Sequence, residues 1–85
     1  MVRKLLVIQI DGLQDPAAWL IEFCAGFPDV AIVLVSRHFA RNDLTGERRM
    51  IADASIADAG KRVPFAMAVT AALSNHDEYL ARRII

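Results

Sequence analysis

Cysteine, histidine and glycine are all scarce in this chain, and each shortage removes a class of chemistry. A single cysteine, Cys24, cannot close an internal disulfide. A lone thiol fits a reducing compartment, where it behaves as a small hydrophobe. The only histidines, His38 and His76, share no Cys or Asp at metal-ligand spacing, so no metal and no cofactor is expected. Four scattered glycines build turns rather than a phosphate-cradling loop. Charge of either sign is not in excess: ten basic residues balance ten acidic ones, which argues against a general polyanion binder. Long apolar runs are missing too. None approaches the ~20 residues of a membrane-spanning helix. The first apolar run is broken at Gln9 and Asp11 and lacks the cleavage site of a signal peptide. A cytoplasmic protein with no membrane partner is expected.

What the chain has is apolar material. Its 85 residues suit one domain, 1–85, and 55% of them are hydrophobic against 24% charged. Mean hydropathy is +0.34. A small sphere has too much surface to hide this fraction inside one protomer, so part of it is expected to face a second copy or another protein.

Two stretches carry the fold. Residues 3–10 contain Leu5, Leu6, Val7 and Ile8 without polar alternation, the pattern of a strand covered on both faces. Residues 30–36, beginning VAIVLV, repeat it. Between them Asp11-Gly12 turns the chain, Asp15 is a helix N-cap and Pro16 takes the first helical position. The helix would carry Trp19, Leu20, Phe23, Cys24 and Phe27 on one stripe. Gly26 would supply a left-handed cap and Pro28 would stop it. Strand, helix and strand in this order predict a βαβ unit with a central first strand and a parallel pair. The expected architecture is a small α/β sandwich on that unit.

The middle admits two readings. In one, the second strand runs on through Arg41, turns at Asn42–Gly46 and returns as a third strand at about 47–54. In the other, Asp43 or Thr45 caps a short helix holding Met50, Ile51 and Ala54. The burial that Met50-Ile51 needs favours the hairpin, although its second arm is rich in weak strand formers. Residues 64–83 read as helical and packed on the sheet, with Phe65, Val69, Leu73, His76, Leu80 and Ile84 near one stripe. Ala66, Ala68, Ala71 and Ala72 permit close approach. Ser74 with Asp77 resembles a capping box, so a break near Ser74 is an option.

Ligands gather at the carboxyl ends of parallel strands. That rule collects Gln9, Asp11 and Gly12 with Ser36, Arg37 and His38, a possible anion or metal crevice. The plainer reading is turn chemistry, with Arg37 as the partner of Asp11. LLVIQIDGL followed by a helix and then FPDVAIVLVSR resembles the first two motifs of haloacid-dehalogenase-type phosphatases. The likeness covers about thirty-five residues. Asp11-Gly12 matches the second aspartate and the glycine of Asp-x-Asp-Gly, and Ser36 matches the hydroxyl of the second motif. The position of the nucleophilic aspartate is Gln9, which forms no aspartyl-phosphate. The resemblance implies a similar βαβ core, or a degenerate phosphoryl- or Mg-binding relative without activity.

Arg37, Phe39, Arg41, Arg48 and Arg49 form a local basic cluster, set against Asp43 and Glu47. An aromatic between arginines suits a protein partner or, less well in a neutral chain, stacked bases. The expectation is a non-enzymatic interaction module, a regulator or inhibitor of the kind compact bacterial or phage genomes encode. It would bind another protein through the Arg37–Arg49 segment and the C-terminal helix. It would form a homodimer through Phe65, Val69, Leu73, Leu80 and Ile84. Cys24 and His76 read as packing residues and no catalytic residue is assigned.

Overall fold

A computed structural model describes residues 4–39, 41–45, 52–58 and 60–83. Within them lie three parallel strands and two helices: β1 (Lys4–Gln9), α1 (Pro16–Gly26), β2 (Val30–Val35), β3 (Ala54–Ile56) and α2 (Arg62–Arg83). The α/β class and the C-terminal helix agree with the sequence reading. The strand order is β1-β2-β3, so the central strand is β2 and the first strand is an edge. This corrects the expectation of a central first strand. The consequence is visible in burial: Ala31–Val35 are all buried, whereas no residue of β1 is.

β2 owes its position to having apolar side chains on both faces. Val33 and Val35 point to one side, where they pack with Ala54, Ile56, Ala68 and Ala72 and are flanked by Phe65 of α2. Ile32 and Leu34 point to the other, against Leu20, Phe23 and Cys24 of α1. The helices therefore cover opposite faces of one sheet. The inward positions of α2 are Ala68 and Ala72, both 0% exposed. Small side chains at these positions let the helix axis lie close to the sheet.

Local chemistry explains the start of α1. Pro16 opens the helix and the Asp15 carboxylate accepts the Ala18 amide at 3.4 Å. Before it, Leu13 donates to the Ile10 carbonyl at 3.1 Å, closing a turn. Gly12 occupies the third position with φ +85°, the left-handed value that a type II turn demands there. The end of the helix differs from expectation. Gly26 stays helical and is not left-handed; Phe27 leaves the helix at φ −132°, its amide still bonded to the Phe23 carbonyl at 2.9 Å. Pro28 follows, having no amide to continue the ladder.

The middle of the chain follows neither reading. Arg37 and His38 form a turn directly after β2, so no hairpin arm runs through Arg41. β3 pairs parallel to β2, with Val33, Leu34 and Val35 opposite Ala54, Ser55 and Ile56. Ala54 is thus in a strand, not a short helix. The strand begins where the third strand was expected to end, and residues 47–51, with Met50 and Ile51, lie outside the described residues. Apolar Ala54 and Ile56 complete the α2 face, a demand of the sheet that outweighs the weak strand propensity of this Ala- and Asp-rich run. α2 is unbroken at Ser74, because its Asn75 and His76 are held by tertiary bonds rather than by a new cap.

Substituting Gly12→Ala would place a Cβ in a left-handed conformation with open space around it. The expected loss is about 1–2 kcal/mol from backbone strain alone. It would be read as a lower urea midpoint at unchanged denaturant slope. An unchanged midpoint would mean the turn relaxes to another type.

Candidate functional site

The carboxyl ends of β1 and β2 do meet, and the sequence-chosen residues meet with them. Gln9 closes β1, Asp11 lies in the following turn, and Ser36 and Arg37 follow β2. The Ser36 hydroxyl donates to Asp11 Oδ1 at 2.5 Å, and the Arg37 amide donates to Oδ2 at 2.9 Å. Gln9 Nε2 makes a long contact to Oδ2 at 3.5 Å. The Arg37 guanidinium stands 3.7 Å from the same oxygen while remaining 83% exposed. Ser36 Oγ also accepts the His38 amide at 3.1 Å. His38 thus contributes its backbone here; the residue is exposed.

These bonds define what the cluster can do. The Ser36 hydroxyl, then the Arg37 amide, hold the Asp11 carboxyl down at about 2, against an ordinary 3.8. Such a carboxylate is a poor proton acceptor at neutral pH. Each of its oxygens already accepts a donor of the chain itself, and Ser36 already donates once and accepts once. The arrangement is a latch that ties the end of β1 to the end of β2. Beside it, Gln9, Val35, Arg37, Ala57, Asp58 and Gly60 line an open cleft of about 440 Å³. An anion entering there would meet Arg37, whose guanidinium already stands beside Asp11, but also the Asp58 carboxylate. Asp58 Oδ1 is itself engaged by the Gly60 amide at 2.7 Å. Among the described residues no group of three or more His, Cys, Asp or Glu is arranged to hold a metal ion.

A second polar cluster was not legible as such in the sequence. Asp53 is 4% exposed, immediately before β3. Its Oδ2 accepts the Ile32 amide at 2.9 Å, and its own amide donates to the Ile32 carbonyl at 2.9 Å. The aspartate thereby extends the ladder on β2 beyond the short β3. Both carboxylate oxygens lie 3.2 Å from His76 Nδ1, and His76 Nε2 is 2.7 Å from the Pro28 carbonyl oxygen. The neighbouring Asn75 donates to the carbonyls of Leu44 and Asp53 at 3.0 and 2.9 Å. An Asp–His pair suggests general-base chemistry, but the nitrogen that would meet a substrate is taken by a backbone carbonyl. His76 is a buried structural bridge, in keeping with its place on the helix stripe. The signal for Asp53 was only a carboxylate between alanines in an otherwise apolar stretch.

The remaining candidates are dispersed. Arg37 and Arg41 are exposed, but Phe39 is half-buried against the α1-side core instead of standing between them. Arg48 and Arg49 lie outside the described residues. On α2, Phe65 packs against the core cluster, Val69, Leu73 and Leu80 are half-buried, and Ile84 lies outside the described residues. Val63 and Met67 are large exposed apolar side chains there, at 66% and 54%, and Met67 lines a groove of about 580 Å³. Burial, and secondarily the Asp53 carboxylate, push the Cys24 thiol up, which leaves it a neutral packing group. Among the described residues no helix is long and apolar enough to cross a membrane.

The apolar stripe of α1 is only partly covered: Phe23 and Cys24 are half-buried against the core, while Trp19 and Phe27 are exposed. Of Trp19, Leu20, Phe23, Cys24 and Phe27, only Leu20 is buried. Trp19 is 45% exposed, Phe27 54%, and Ile21 and Leu13 nearly half. Trp19, Phe23 and Phe27 stack in a ladder with ring centroids 5.2 and 4.8 Å apart.

Two tests follow from the polar clusters. Asp11 has a depressed pKa, so its stabilising effect is complete above 3.8 and is lost as pH falls from 3.8 towards 2. Asp11→Asn should flatten the fall in urea midpoint across that interval, and parallel curves for both proteins would refute the latch. Asp53→Ala would strand the Ile32 amide and break the pair with His76, at about 3–5 kcal/mol. Against a total of roughly 5–15 kcal/mol this nearly unfolds a small domain. Asn75→Ala should cost about 1–3 kcal/mol. Thermal melts that rank the two in the opposite order would contradict the clamp.

No family model, curated protein or solved structure matches the chain.

Proposed function

We propose that this chain is a small interaction module that self-associates through the β1–α1 side of the molecule. The observation that carries the reading is the apolar surface of α1 and the turn before it, where Leu13, Trp19, Ile21 and Phe27 are each about half exposed. A helix apolar on all sides is ordinarily covered on all sides. Clustered exposed aromatics are the residue types that anchor protein interfaces.

A second copy is the occupant that charge favours. Between Pro16 and Gly26 the only charged residue is Glu22, and the chain as a whole is neutral. Two identical faces of this kind meet without appreciable repulsion.

Binding of a second protein through the exposed Arg37 and Arg41 is compatible with this reading, since neither guanidinium is committed to the core. The phosphoryl- or Mg-binding alternative draws less support, because Asp11 and Ser36 are occupied by each other and by backbone amides.

Sedimentation equilibrium should give twice the 9.4 kDa chain mass. Ile21→Glu, at an exposed site, should raise the dimer Kd by more than about tenfold and leave the circular-dichroism spectrum unchanged. A monomer at all accessible concentrations would overturn the reading.

A further inference from the structure

The two edges of the sheet are treated very differently. The outer edge of β3 is closed. Asp43 and Ser55 exchange both backbone hydrogen bonds at 2.8 Å in an antiparallel bridge. The Asn42 side chain accepts the Ala57 amide at 2.9 Å, and Asn75 holds the Leu44 carbonyl from above. Residues 42–45 are thereby stapled along an edge only three residues long. β1 is twice that length and, among the described residues, has no strand on its other side.

Beyond a lysine at its start, β1 carries none of the usual protection of an edge. The strand contains no proline, and its one charge, Lys4, sits at its start. Proteins usually blunt a bare edge with proline, a bulge or an inward charge. Moreover, Leu5, Leu6, Val7 and Ile8 give β1 apolar side chains on both faces, as in a strand with neighbours on both sides. On the α2 face that cover is incomplete: α2 packs on β2 and β3, and Val7 is 38% exposed. Ile10 donates its amide towards β2, to the Val35 carbonyl at 3.0 Å. Strand alternation then turns the amides and carbonyls of Leu5, Val7 and Gln9 away from β2, towards the open edge.

We propose that this edge is where the second copy docks: two β1 strands pair antiparallel about a two-fold axis and join two sheets into one. The inference rests on the self-association proposed above and specifies its geometry. A strand edge is inherently self-complementary, because donors and acceptors alternate along it and a two-fold axis sets each against its opposite. Lys4 and the neutral Gln9 at the two ends place no like charges together at the centre of the pair. The second copy also accounts for the apolar excess on the α2 face of β1, where Leu5 and Val7 of both chains would lie side by side.

The test uses the wild-type chain. Amide hydrogen exchange is followed by NMR while protein concentration is raised through the dimer Kd measured by sedimentation. The amides of Leu5, Val7 and Gln9 should slow by about tenfold or more as the dimer forms, while those of Leu6 and Ile8 are protected throughout. Val7→Lys, which places a charge at the edge, should yield a folded monomer. A dimer in which the Leu5, Val7 and Gln9 amides still exchange at monomer rates would overturn the edge pairing and leave self-association standing. A monomer at every concentration would overturn both.

Discussion

The Asp53 carboxylate is the constraint on which the arrangement of the sheet and α2 depends. β3 has only three residues, so it forms a short ladder with β2. Asp53 extends the strand by other means, using a side-chain oxygen and its own amide to engage both backbone groups of Ile32. The same carboxylate faces His76 of α2, whose other nitrogen reaches Pro28 at the amino end of β2. One buried acidic group thus joins the strand, the loop before it and the helix that crosses them. Burying a carboxylate is costly unless its oxygens are engaged. Displacing α2 would remove the His76 contact and leave that cost unrelieved, which opposes any other placement of the helix.

The two ends of the sheet are therefore secured by similar chemistry in different surroundings. At the amino end, Asp53 works in the interior; at the carboxyl end, Asp11 works near the surface with the Ser36 hydroxyl and the Arg37 amide. Both carboxylates, both partner side chains and the thiol of Cys24 are committed to holding the fold. The polar residues that would ordinarily suggest catalysis are the ones that keep the strands together. What is left over is apolar: the exposed side chains of α1, the face of β1 beside Val7 and, among the described residues, the unpaired edge of that strand. An account of function has to begin from those surfaces.

The order of elements was legible because it rests on local signals. Asp15-Pro16 marks a helix start wherever it occurs in a suitable pattern, and the runs LLVI and VAIVLV suit covered strands. Asp11-Gly12 supplies the turn that β1 needs. The meeting of Ser36 with Asp11 follows from the same parallel pairing, which brings the carboxyl ends of β1 and β2 together. The described residues between Arg37 and Asp53 were not legible, because their conformation comes from distant partners: Phe39 from the α1-side core, Asn42 and Asp43 from β3, Leu44 from Asn75. No propensity within the segment reports those contacts.

The identities of β1, α1, β2 and α2, and the meeting of Asp11 with Ser36, follow from patterns a few residues long, because turns, caps and strand ends depend on near neighbours. Which of two equally apolar strands becomes the centre cannot follow from such patterns. β1 and β2 read alike, and only the arrival of β3 at the side of β2 makes one central and the other an edge. The helix stripes were decided in the same way: α2 turns its alanines inward because the sheet admits a close approach there, and α1 keeps Trp19 and Phe27 outside because a three-stranded sheet is too narrow to cover them. Burial is a property of the assembled layers, and it is set by what lies opposite rather than by the residue itself.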